Sequence, residues 1–162
     1  MNQSDATNHP CPVPVVRAII EDAVGKVLIL QRANTAWGDN AWCLPGGKID
    51  YGQTVAEALS REIHEETALL LKSAALLLVQ DSLPSQPEGM HCLNLYFRCS
   101  VSGVLRLNNE SSAFAWVSPD DMHEYSIVFR NDEALRRHFA GELDTPYPFE
   151  NDAHEERSYG IR

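Results

Sequence analysis

Three features of this sequence predict a mixed-sheet domain of the α/β (α+β) class. Apolar, β-branched runs recur at Val13–Ile20, Val27–Gln31, Ala74–Val79 and Ala113–Val117. A long amphipathic helix with a capping box at its start interrupts them, and a shorter helix follows. Strands and helices do not alternate in strict βαβ order, so an all-parallel sheet is not expected. A chain of 162 residues suits one domain with a real core. The expected division is a polar tail at 1–12, the domain at 13–143 and a polar, Pro-containing, aperiodic extension at 144–162.

Taken in order, Val13–Ile20 and Val27–Gln31 read as a hairpin of two strands, with the turn in the polar segment between them. Arg32–Ala41 has no period and carries Asn and Gly, which predicts a loop. Trp42–Pro45 is a short extended piece, since Pro45 holds Leu44 out of the helical region. The stretch from Gly46 begins as a glycine loop and continues as the helix. Thr54 and Glu57 have the T-x-x-E spacing of a capping box. Ala74–Val79 reads as a buried strand, and Leu83–His91 as a loop. Leu93, Leu95 and Phe97 alternate with Asn94, Tyr96 and Arg98 in a half-buried strand, with Val101–Leu107 expected as its partner. Ala113–Val117 is a further strand. Ser118-Pro119-Asp120-Asp121 looks like a helix start with Ser118 as N-cap. Asn131-Asp132-Glu133 opens a last helix, with Leu135 and Phe139 on one face.

The acids of the long helix fall in an unusual place. With Val55 at zero and 100° per residue, Leu59, Ile63 and Leu70 lie at about 40°, 80° and 60° on the helical wheel. Glu66 lies at about 20°, Glu62 at about 340° and Glu65 at about 280°. Two carboxylates therefore sit in or beside the apolar arc, and a third one step away. Gathered carboxylates repel each other and are costly to desolvate. A divalent cation relieves both costs, and oxygen-only ligands favour Mg²⁺ or Mn²⁺. A solvated acidic face with an Arg61–Glu65 pair is the alternative.

The remaining composition narrows the function. The formal net charge is −10, which opposes tight binding to duplex nucleic acid and leaves a bound metal to supply positive charge for an anionic substrate. The cysteines at 11, 43, 92 and 99 form no C-x-x-C pair and no zinc spacing, so reduced thiols and a cytoplasmic protein are expected. No run approaches the length of a membrane span, and the N-terminus lacks the basic start and apolar region of a signal peptide.

Gly47-x5-Gln53-x7-Arg61-Glu62-Ile63-His64-Glu65-Glu66-x-Ala68-Leu69 resembles the signature box of the Nudix hydrolases, G-x5-E-x7-R-E-U-x-E-E-x-G-U, with U a bulky apolar residue. The preceding Trp42, Leu44, Pro45, Gly46 and Gly47 resemble the family's W-x-L-P-G-G entry. Gln53 departs from the family Glu, and Ala68 from the family Gly. The resemblance implies a mixed sheet sandwiched between helices, and a pyrophosphohydrolase acting on a nucleoside diphosphate linked to another moiety. It implies Glu62, Glu65 and Glu66 as ligands of Mg²⁺ or Mn²⁺, with the Gly46 carbonyl in the metal shell and Arg61 orienting the glutamates. Family members often add an acid from a later loop, for which Glu110 is the candidate. Gln53 keeps the shape and an acceptor oxygen but loses the charge, so a weakened loop brace rather than a dead site is expected.

Arg32 and Lys48 are candidates for phosphate contact. Trp37 is a candidate wall for a nucleobase, against the alternative of a partly buried structural residue. Cys43 keeps a prenyl diphosphate isomerase in view, and the two departures motivate a non-catalytic nucleotide-binding module as the alternative function. The expected partner is a small nucleotide-type molecule. Many relatives are dimers, so a homodimer is also an expectation.

Overall fold

A computed structural model describes residues 11–84 and 89–144. The expected polar tail and C-terminal extension lie outside the described residues, apart from Cys11, Pro12 and Asp144. The elements are β1 (Val13–Ile20), β2 (Val27–Arg32), β3 (Trp42–Cys43), β4 (Gly46–Lys48), α1 (Val55–Thr67), β5 (Leu70–Ser82), β6 (Cys92–Ser102), β7 (Ser111–Val117) and α2 (Asn131–Phe139). They build a four-stranded sheet, β4-β1-β6-β5, and a three-stranded sheet, β3-β2-β7. The β1–β6 pair is parallel and every other ladder is antiparallel. The mixed α+β class read from the sequence is the one found.

β1 and β2 are covered on both faces, which is why each reads as a continuous apolar run rather than an alternating one. Val16, Ala18 and Ile20 of β1, with Leu28 and Leu30 of β2, pack against Ala58, Leu59 and Ile63 of α1. Ile19, Val27 and Ile29 turn the other way, into a second cluster with Tyr96 and with Ala134 and Leu135 of α2. Each fully buried Leu or Ile is worth about 1.5–3 kcal/mol, so both layers are anchored by burial.

Several expectations are corrected here. The β1–β2 hairpin does not form as a ladder: next to the turn the backbones pair only at the isolated Glu21–Val27 bridge, and the strands enter different sheets. Their tight turn exists, with Asp22 Oδ1 accepting from the amides of Val24 and Lys26 at 2.9 Å each. Beyond it, each strand finds better apolar cover with a distant partner. The buried strand expected at Ala74–Val79 is part of β5, a sheet edge on which Ala74, Ala75 and Leu76 are exposed. Val101–Leu107 is not a separate strand, since β6 continues to Ser102 and pairs with β1 and β5. On β6 the polar face is the more buried: Asn94 and Tyr96 are enclosed while Leu93, Leu95 and Phe97 are half-buried. Ser118 caps no α-helix. Asp121 Oδ1 instead accepts from the Ser118 amide, and only a 3-10 turn follows at Met122–Glu124.

The capping box is present: Thr54 Oγ1 accepts from the Glu57 amide at 3.2 Å, and Glu57 Oε2 accepts from the Thr54 amide at 2.8 Å. α1 ends at Thr67 with Ala68 left-handed, φ 59°, its amide donating to the His64 carbonyl. Leu70 therefore belongs to β5 and is half exposed, and Val55 in the first turn is exposed as well. Ala58 and Thr67 complete the buried side of α1 in their place. Phe129 and Arg130, before α2, are both left-handed non-glycine residues, φ 61° and 58°. Each costs about 1–3 kcal/mol unless its surroundings hold it there. Asn131 is the clamp. Its Oδ1 accepts from the Leu44 amide at 2.9 Å, and its Nδ2 donates to Tyr96 Oη at 3.1 Å.

Candidate active site

β4 is short because its glycines lie against other groups. At Gly46, φ +148°, a Cβ would run into the Val16 carbonyl of β1, so only glycine allows the β1–β4 pairing there. A Cβ on Gly47 would lie 2.5 Å from Glu62 Cδ. The Gly46 amide donates to Glu66 Oε2 at 2.8 Å. Both carboxylates are thus seated on the Gly46–Gly47 backbone, and both come from the edge of the buried side of α1, next to Leu59.

That seat has electrostatic consequences. Burial pushes the Glu66 carboxyl up to about 8, against the Gly46 amide and Arg17, and with repulsion from Glu62 and Glu110. Burial also raises Glu62, opposed by Arg61 and reinforced by Glu65 and Glu110. Arg61 ties the loop to the helix. Its Nη1 donates to Glu62 Oε1 at 2.8 Å and to Glu65 Oε2 at 3.1 Å. Its Nη2 donates to the Lys48 carbonyl at 3.1 Å and to Gln53 Oε1 at 3.3 Å. Gln53 Oε1 also accepts from the Asp50 amide at 3.2 Å, so the expected brace is made without a charge. Ala68 adopts the left-handed conformation at the second departure.

Arg32, Gly46, Lys48, Arg61, Glu62, Glu66 and Glu110 line one cleft of about 370 Å³, with Cys43. Two candidates stand apart from its lining. Glu65 is half exposed and turned to Arg61. Trp37 is 78% exposed, which overturns the alternative of a partly buried structural residue; its carbonyl accepts from Arg32 Nε at 3.0 Å. Trp42 is half-buried against Tyr125, and His64 is exposed. Burial pushes the Cys43 thiol up, away from the thiolate that nucleophilic chemistry needs.

Among the described residues no three His, Cys, Asp or Glu side chains converge as a ready-made metal centre. The donors at the cleft nevertheless suit a hard divalent cation. Glu62, Glu66 and Glu110 repel one another, Glu66 and Glu62 are held above their usual range by burial, and every donor is an oxygen.

A polar group inside the fold went unrecognised in the sequence. Arg17 of β1 is 7% exposed, with Nε 3.5 Å from Asn94 Oδ1 and its guanidinium carbon 5.2 Å from the Phe129 ring centre. Arg32 lies 4.9 Å from the same ring centre. The available signal was a single charge inside the apolar run Val15–Ile20.

The NUDIX domain family profile matches residues 12–138. The ADP-ribose pyrophosphatase of Methanocaldococcus jannaschii is 39% identical over 92 residues, covering 57% of this chain and 53% of its own length. The nucleoside triphosphatase NudI of Escherichia coli is 31% identical over 104 residues, covering 59% of this chain and 74% of its own. The crystal structure of a MutT NUDIX hydrolase from Burkholderia pseudomallei superposes with a TM-score of 0.70 at 29% identity, covering 78% of this chain and 97% of that one.

Proposed function

The chain belongs to the NUDIX family and is a pyrophosphohydrolase; from that premise we propose that it cleaves, with Mg²⁺ or Mn²⁺ bound, the diphosphate of a nucleoside triphosphate or of a nucleoside diphosphate linked to a sugar or similar moiety. The observation that carries this reading is the seating of Glu62 and Glu66 on the Gly46–Gly47 backbone at the cleft, where burial makes their charge costly.

Glu62, Glu66, Glu110 and the Gly46 carbonyl would hold the cation, with Glu65 available beside them. When bound, the cation polarises phosphoryl oxygens and stabilises the charge that develops on them. Arg61 positions Glu62 and Glu65 and fixes the loop through Lys48 and Gln53. A carboxylate of the cluster accepts the proton of the attacking water. Lys48 and Arg32, on the cleft wall, meet phosphate oxygens. The exposed Trp37 ring is free to stack on a base. The charge of −10 favours a small nucleotide over a long polyanion, since only the metal-binding end neutralises phosphate.

The intact acid cluster and the brace at Gln53 weigh against a non-catalytic binding module. The unbridged thiols at positions 43, 92 and 99 accord with a reducing compartment such as the cytoplasm, and among the described residues no helix is long and apolar enough to cross a membrane. The test is hydrolysis of nucleoside triphosphates, nucleotide sugars, ADP-ribose and dinucleoside polyphosphates, with Mg²⁺, with Mn²⁺ and with chelator, read as phosphate freed from the products by added inorganic pyrophosphatase (triphosphates) or alkaline phosphatase (the others). Release from none of them would overturn the substrate class.

A further inference from the structure

We infer that Arg17 is a specificity-determining residue that reads the nucleobase, donating to a base edge that presents acceptor atoms. This rests on the nucleotide reading above.

Arg17 lies within the buried run Val15–Ile20 of β1 and is itself 7% exposed. Its single protein hydrogen bond among the described residues is long, 3.5 Å from Nε to Asn94 Oδ1, and Asn94 Nδ2 is taken up by the Gln80 carbonyl. Among the described residues no carboxylate pairs with it, whereas Arg61, Arg98, Arg130 and Arg136 each hold one. A guanidinium carries five N–H donors and no acceptor. Its Nη donors have no protein acceptor among the described residues and are not among the sealed-off unpaired atoms, so they reach the surface, where a ligand can meet them.

The placement says which partner. Arg17 is registered opposite Gly46 of β4 and Tyr96 of β6. Its neighbours Val16 and Ala18 face α1 and the acid-bearing side, so by strand alternation Arg17 faces the other layer, with Ile19 and Tyr96. Its charge is still felt at Cys43 and Glu66, which both line the cleft. Arg32, on the cleft wall, rests on the same Phe129 ring. Phe129 itself is held in a left-handed backbone conformation, φ 61°, and such strain collects at ligand sites. The acids serve the diphosphate end of the cleft. On the other face of β1 the Arg17 guanidinium, beside the Phe129 ring, suits a planar, acceptor-bearing group. A donor-only side chain donates to both guanine O6 and N7, or to a uracil carbonyl, whereas on adenine and cytosine an amino donor stands beside the acceptor and opposes it.

The test is calorimetric binding of GMP, UMP, AMP and CMP to the full chain and to Arg17→Gln and Arg17→Lys, with thermal unfolding of each. Wild type should bind GMP and UMP about 10-fold more tightly than AMP and CMP. Arg17→Gln should bring the four within about twofold while its melting temperature holds, because among the described residues no ion pair and only one long hydrogen bond is lost. Arg17→Lys keeps the charge but not the fork, and should lose most of the preference.

An equal loss for all four nucleotides would make Arg17 a phosphate contact and overturn the inference. So would no preference in wild type, no binding by any of the four, or a melting temperature that falls along with affinity. Monophosphate binding needs no turnover, so a failure of the proposed hydrolysis shows separately, as absent pyrophosphate release from the triphosphates.

Discussion

Replacing Glu66 by Gln should divide stability from activity. Gln retains an oxygen to accept from the Gly46 amide, now at 2.8 Å from Glu66 Oε2, but cannot ionise. In the metal-free wild type, burial raises the Glu66 carboxyl from 4.5 to about 8. The folded state therefore binds more protons than the unfolded state between those values, and stability falls as pH rises through that window. Below pH 4.5 both states are protonated and no cost remains. Above about 8 the full penalty applies, about 5 kcal/mol at most. Urea unfolding in chelator should show Glu66→Gln more stable than wild type by several kcal/mol near pH 9, with the two curves meeting near pH 4. Turnover should fall about 10²-fold or more if Glu66 holds the catalytic cation. Parallel stability curves across the pH range would mean that Glu66 is ionised in the free fold. Near-normal turnover would move the ligand role to Glu62 or Glu65.

EDTA should abolish hydrolysis and Mg²⁺ or Mn²⁺ restore it; full activity in chelator would sink the metal reading. Gly47→Ala would set a Cβ 2.5 Å from Glu62 Cδ, so Glu62 must shift; kcat should drop at least about 10-fold for about 1–3 kcal/mol of stability, and an unchanged kcat would show that the seat is not needed. Ala68→Gly relieves a left-handed alanine at φ 59° and should stabilise the fold by about 0.5–1 kcal/mol in denaturant unfolding; a loss would show that helix entropy outweighs the strain. Gln53→Glu strengthens the contact with Arg61 Nη2, now 3.3 Å, so kcat/KM should stay level or rise by about threefold at most, whereas activity appearing from an inactive parent would favour a binding module.

What could be read from the sequence alone was local. The Thr54–Glu57 box, the glycine pair and the spacing of Glu62, Glu65 and Glu66 involve residues within a few turns of chain, where backbone geometry alone sets the relation. The end of α1 was not among these: the wheel carried the helix through Leu70, whereas it stops at Thr67 with Ala68 left-handed. Tertiary structure decided the rest. Val13–Ile20 and Val27–Arg32 look like hairpin partners, yet double-sided burial sends them into separate sheets. The Asn94–Tyr96 face is buried more deeply than the Leu93–Leu95–Phe97 face, because Gln80, Arg17 and Asn131 meet its polar atoms. The helix wheel put all three glutamates together; Arg61 and the glycine loop separated the enclosed Glu62 and Glu66 from the half-exposed Glu65. Arg17 shows the limit most plainly. A charge in an apolar strand is legible in one dimension, but whether water, a carboxylate or an empty space faces it depends on chains far away in sequence, and burial converts that choice into energy.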